Sequence, residues 1–63
     1  MDEGLREAIK KAGGLRALAR ALGISQTSLA EWRRVPAERL VQVEAITGID
    51  RSVLRPDLYR RGD

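Results

Sequence analysis

Residues 15–34, LRALARALGISQTSLAEWRR, decide the fold that this sequence predicts. Apolar residues in the first half of this stretch have the i, i+3, i+4, i+7 spacing of an amphipathic helix, at Leu15, Leu18, Ala19 and Leu22. Gly23 is expected to end that helix, because glycine adopts the left-handed conformation without a steric penalty.

A second helix is expected directly after the turn. Ser25 is suited to cap its first free N–H groups, and the helix is predicted over Gln26–Arg33. Leu29 and Trp32 would then point inward. Two helices joined by a short turn that contains glycine are typical of the helix-turn-helix, whose second helix enters the major groove of DNA. The alternative is a plain helical hairpin in a small bundle.

The turn favours the DNA-binding interpretation, because several residue types must coincide there. This stretch resembles the Cro/CI-type helix-turn-helix family. The positions that match the family pattern are Ala19, Gly23, Ile24 and Leu29. That resemblance implies that GISQTSLAEW contains the turn and the recognition helix, the helix 25–34 that is inserted into the groove.

The remaining segments predict further helices and no strand. A first helix is expected from Asp2 to Ala12, a fourth from Pro36 to Thr47, and a brief fifth from an Asp50 N-cap to Leu54. Apolar residues nowhere alternate as they would in a half-buried strand. The predicted fold is all-α, a small bundle of four helices plus a short fifth, in a single domain 1–63 with a C-terminal tail 56–63.

The C-terminal half extends the resemblance. VPAERLVQVEAITG, followed by LRPDLY, closely resembles Cro-like prophage regulators and YdaS-type putative antitoxins, and the resemblance covers roughly residues 5–59. It implies a DNA-binding transcriptional regulator, a repressor of phage or prophage type.

Composition excludes several classes of function. The chain has 63 residues and contains neither cysteine nor histidine, which removes disulfides, thiolate nucleophiles and the commonest general base and zinc ligands. No cofactor, metal ion or small-molecule substrate is expected, and the chain is not expected to be an enzyme. No signal peptide or membrane span is apparent, so a cytoplasmic location is expected, in a bacterial cell or on the nucleoid of a phage-infected host.

The net charge of +3 is concentrated in the centre of the chain. Residues 1–15 and residues 40–63 are each neutral. The excess lies in residues 16–39, which contain five arginines and two acidic residues, Glu31 and Glu38. A basic centre that coincides with the helix-turn-helix is the electrostatic signature of a phosphate-binding surface.

Four residues are predicted to meet DNA bases. The Gln26 amide can pair with the N6/N7 edge of adenine, and Thr27 can reach a base or a thymine methyl. Ala30 allows close approach. Glu31 has two alternatives: it accepts a hydrogen bond from cytosine, or it pairs with Arg34 three residues on. Trp32 is expected in the core rather than stacked on a base.

Phosphate contacts are predicted at Arg16, Ser25, Ser28, Arg33, Arg34 and Arg39. One recognition helix reads few base pairs, so a homodimer on a palindrome with half-sites about 34 Å apart is expected. The dimer surface is expected among the apolar residues of the last helix and the tail. The alternative is that these residues complete the core of the monomer. A protein-interaction module, antitoxin-like or adaptor-like, is the competing function.

Overall fold

The computed structural model describes residues 1–59, which contain five α-helices and one 3₁₀ turn. No strand occurs in these residues. The all-α prediction is therefore confirmed. In chain order the helices are α1 (Glu3–Ala12), α2 (Leu15–Leu22), α3 (Gln26–Ala30), α4 (Leu40–Thr47) and α5 (Arg51–Leu54), with the 3₁₀ turn at Ala37–Arg39 before α4.

The turn between α2 and α3 has the predicted geometry. Gly23 has φ 74°, and the Ile24 N–H donates to the Ala19 carbonyl at 3.0 Å. This bond spans five residues, as in a Schellman motif that satisfies the last carbonyls of a helix. Ser25 caps α3 as predicted, since its Oγ accepts from the Ser28 N–H at 3.1 Å.

One apolar core joins all five helices. Helix α1 lies against α2, α4 and α5, and α2 also lies against α3 and α4. Trp32 packs against the edge of this core and is half-buried, which agrees with its predicted structural role. The buried apolar residues are Leu5, Ala8, Leu18, Ala19, Leu22, Leu29, Val35, Leu40, Val43 and Leu54.

Helix α3 is shorter than predicted. The sequence predicts a helix over Gln26–Arg33, whereas α3 ends at Ala30 and Glu31 is its C-terminal cap. The Trp32 N–H donates to the Leu29 carbonyl, a tighter i→i+3 bond, and the Arg33 carbonyl accepts from the Asp2 N–H at 2.8 Å. The chain leaves the helix because Val35 must reach the core, where it is fully buried.

The start of the fourth predicted helix is also different. Pro36 is extended, with ψ 142°, and precedes the 3₁₀ turn instead of beginning an α-helix. Helix α4 begins only at Leu40 and ends at Thr47 as predicted, with Gly48 as its C-terminal cap. Residues 31–36 connect α3 to the 3₁₀ turn, which leads directly into α4 and brings Leu40 into the core.

The last helix agrees with its prediction. The Asp50 carboxylate accepts from the Ser52 N–H at 2.9 Å, and Leu54 is fully buried. Leu54 therefore completes the monomer core. The predicted tail is described as far as Tyr59, and its remainder, residues 60–63, lies outside the described residues.

We predict that Gly4→Ala destabilises the protein. A Cβ at this position of α1 would lie 2.6 Å from the Leu54 carbonyl oxygen, which is backbone and cannot move aside easily. Overpacking of this kind costs about 1–3 kcal/mol, which outweighs the gain of up to about 1 kcal/mol in helix propensity. Urea unfolding followed by circular dichroism measures the change. A more stable variant would contradict the close contact between α1 and α5.

Candidate nucleic-acid interface

Helix α3 projects from the body of the protein. Among the described helices it lies against α2 alone, and Leu29 is its one buried residue. A five-residue helix has little stability of its own, so it is held by this apolar anchor and by the Ser25 cap. The rest of its surface faces outward.

The four predicted base-contacting residues share this outward surface. Gln26, Thr27 and Ala30 are exposed on α3, and Glu31 is exposed at its C-terminal cap. Within residues 1–59 the side chains of Gln26, Thr27 and Glu31 make no hydrogen bond or ion pair. The structure thus leaves their polar groups available to an external partner.

The two serines that are predicted to contact phosphates are engaged with each other. Ser25 Oγ accepts from the Ser28 N–H and donates to Ser28 Oγ, at 3.1 and 3.0 Å. Both residues are exposed. The Ser25 hydroxyl proton is therefore already donated to Ser28, whereas the Ser28 hydroxyl proton has no acceptor within residues 1–59 and is available to an acceptor outside the protein.

The predicted phosphate-binding arginines differ in how strongly the fold already engages them. Arg16 on α2 and Arg33 after α3 are exposed, and neither side chain has a partner within the described residues. Arg39 is half-buried, and its Nη1 donates to the Gln42 amide oxygen at 3.1 Å. Arg16 and Arg33 are therefore freer to contact DNA than Arg39.

Arg34 lies 3.8 Å from the Asp57 carboxylate, and its side chain is 57% exposed. Exposed pairs at this separation contribute little, so Arg34 can change partners at small cost. No ion pair between Arg34 and Glu31 occurs in the part of the chain that is described. The alternative role predicted for Glu31, pairing with Arg34, is not what the structure adopts.

The tail contains a clamp that the sequence pattern did not reveal. Arg55 donates to both oxygens of Asp57, at 2.9 and 2.7 Å, and its Nη1 donates to the Val35 carbonyl at 2.8 Å. It thereby ties the LRPDLY segment to the loop after α3. The LRPDLY motif was the signal that the sequence offered for this contact. The partner of Arg55, the Val35 carbonyl, lies 20 residues away in sequence, so the motif alone does not reveal it.

These contacts shift the ionisation of the groups involved. The guanidinium of Arg55 lowers the pKa of Asp57 from 3.8 to about 2, mainly by hydrogen bonding. On the neighbouring surface, Arg51 hydrogen-bonds Glu44 at 3.0 Å and lowers the pKa of that carboxyl. The Arg51 guanidinium also lies 5.5 Å from the centre of the Tyr59 ring. Arg51 and Arg55 are thus each paired with a carboxylate within the protein.

The chain is similar to a known protein family and to a solved structure. The family model described as "Bacterial toxin YdaS" matches residues 5–62. A solved structure, that of the Cro protein from the putative prophage element Xfaso 1 of Xylella fastidiosa strain Ann-1, is 37% identical in sequence, with a TM-score of 0.82. The match covers 95% of this chain and all of the Xylella protein. No curated protein matches the sequence. None of the described helices has the length and apolar character needed to cross a membrane.

The tail clamp predicts acid sensitivity. Because folding lowers the pKa of Asp57, its ion pair stabilises the fold above about pH 4, and this contribution is lost as the pH falls towards 2. We expect Asp57→Asn to flatten the dependence of the urea midpoint on pH between 4 and 2. Glu31→Gln removes an exposed carboxylate that has no partner in the described part of the chain, and it is the matched control. An unchanged acid slope in Asp57→Asn would contradict the clamp.

Proposed function

The chain belongs to the YdaS family, and from this premise we propose that it is a sequence-specific DNA-binding transcriptional regulator, a Cro-like repressor of phage or prophage type. It would act in the cytoplasm, on the nucleoid of a bacterial cell or of a phage-infected host. Its likeness to a prophage Cro protein supports this proposal. Helix α3, flanked by Ser25 and Glu31, would be inserted into the major groove of a palindromic operator.

The observation that carries the proposal is the presentation of α3. An α-helix with its side chains is about 10–12 Å across, and the major groove is about 12 Å wide. Because α3 lies against only α2 among the described helices, its outer face is not covered by the rest of the bundle. The polar groups on that face have no partner in the described chain.

Each residue on that face has a distinct role in the proposal. Gln26 is at the N-terminal end of α3, which penetrates deepest, and its amide would pair with adenine. Thr27 would contact a base edge or a thymine methyl. Ala30 would allow close approach, and Glu31, free of Arg34, would accept from cytosine N4.

Cations around α3 would hold the DNA backbone. Arg16 approaches from α2, while Arg33 and Arg34 lie in the loop after α3 and Arg39 lies in the 3₁₀ turn. Ser25 and Ser28 would share their hydroxyls with phosphate oxygens. Four arginines of this kind predict a slope of log K against log salt of about −4 per protomer.

A homodimer is part of this proposal, because one short helix reads too few bases for specificity. Three apolar residues near the C-terminal end of the described chain are 42–49% exposed, and they are the surface that a second copy would cover, namely Val53, Leu58 and Tyr59.

A second function deserves a test because the matching family is described as a toxin. In this alternative the chain is an antitoxin-like or adaptor module whose main partner is another protein. The two functions differ in their behaviour with DNA. A regulator binds any duplex weakly through its phosphates, with strong salt dependence, whereas an adaptor does not.

We predict that the protein binds a labelled random-sequence duplex, and that the affinity falls steeply between about 50 and about 200 mM salt. Arg34→Ala is expected to weaken binding and to lower the salt slope by about one, because it removes a phosphate contact. Fluorescence anisotropy measures both quantities. Lys11→Ala, an exposed lysine at the end of α1 with the same change in net charge, should have a smaller effect. Absence of binding at low salt would favour the adaptor.

Gln26→Ala is predicted to change the preferred operator. Selection from a random DNA pool gives the preferred sequence of the native protein, and the variant should lose preference at one adenine position, at a cost of about 1–3 kcal/mol. Arg33→Gln is the control, since loss of a phosphate contact weakens all sequences alike. An identical motif from Gln26→Ala would show that Gln26 does not read a base.

A further inference from the structure

An open groove lies between α2 and the start of α3, beside Gln26. Its volume is about 230 Å³. That is room for several water molecules at about 30 Å³ each, and therefore for a phosphate group with part of its hydration. The groove is lined by Arg16, Ala19, Arg20, Ile24 and Gln26.

Two unneutralised positive charges lie along this groove. Arg16 and Arg20 are four residues apart on α2, so their side chains project from the same face of the helix. Both are exposed, and within residues 1–59 neither side chain makes an ion pair or hydrogen bond. Arg51 and Arg55, in contrast, are each paired with a carboxylate. Like charges at this spacing destabilise a helix.

The position of Arg16 adds to this unfavourable arrangement. It is the second residue of α2, near the positive end of the helix dipole, and the first turn of α2 contains no acidic residue. Arg20 lies in the last turn of α2, where a cation is favourable, so the unfavourable features are the position of Arg16 and the like-charge pair that the two arginines form. Local arrangements that oppose stability are concentrated at functional sites, where a bound partner compensates for them.

We propose that Arg20, together with Arg16, binds one phosphodiester group of the DNA strand that borders the major groove read by Gln26. This inference rests on the proposed function, and it adds Arg20, which is not among the phosphate contacts predicted from the sequence. An anion between the two guanidinium groups removes their mutual repulsion. The planar guanidinium also matches two phosphate oxygens at once.

Four variants test the shared phosphate in the full-length protein. Arg16→Gln, Arg20→Gln and the double variant each remove positive charge from the groove. Arg6→Gln is the matched control: Arg6 is exposed, and it lines a separate hollow between α1 and α5 to which neither α2 nor α3 contributes. Circular dichroism confirms folding, and anisotropy with a random duplex gives the dissociation constant and the salt slope.

The expected result has three parts. Each single substitution in the groove raises Kd about fivefold or more at about 0.1 M salt, while Arg6→Gln has a clearly smaller effect. The double variant raises Kd by less than the product of the two single effects and lowers the salt slope by about one, because both arginines bind one phosphate. The operator selected by Arg20→Gln remains that of the native protein.

Two results would overturn the inference while leaving the proposed function intact. In the first, native protein binds duplex DNA but Arg20→Gln behaves like Arg6→Gln. In the second, the two effects multiply and the slope falls by about two, which would place the arginines on separate phosphates. If the native protein itself fails to bind DNA at low salt, the proposed function is wrong and the inference falls with it.

Discussion

The burial of Leu29 is the contact on which the rest of the interface depends. Helix α3 has five residues, and Leu29 is the one that it contributes to the core. Around it, the Gly23 turn ends α2 and the Ser25 cap begins α3, so both neighbours fix the direction of the helix. A helix that is attached through one side chain and two termini leaves most of its surface uncovered. That is why so short an element can present Gln26 outward.

Local signals accounted for most of the fold. The caps at Ser25 and Asp50 and the glycine at 23 are properties of a few adjacent residues, and the helix termini they predict are confirmed. The errors lie where distant segments compete with local preference. Burial of Val35 and the bond from the Asp2 N–H to the Arg33 carbonyl accompany the early end of α3, and no periodicity in residues 26–33 could have indicated them.

The candidate site shows the same division. Exposure of the α3 surface follows from helical spacing, so the base-reading candidates could be chosen from sequence, although their contacts with DNA stay a prediction. The sequence could not show which arginines are free to contact DNA. Net charge assigns equal weight to all of them, whereas the fold engages Arg55 with Asp57 and Val35 and, as far as residue 59, provides no partner for Arg16 or Arg20. Pairing depends on tertiary proximity, which composition does not contain.

Trp32 has a practical consequence that follows from its place in the fold. It is the chain's single tryptophan, it is half-buried at the edge of the core, and it comes two residues after the end of α3. Indole emission depends on the polarity around the ring, so the intrinsic fluorescence of the native protein reports on this one junction. An unlabelled sample thus carries an optical probe beside its proposed DNA-reading helix.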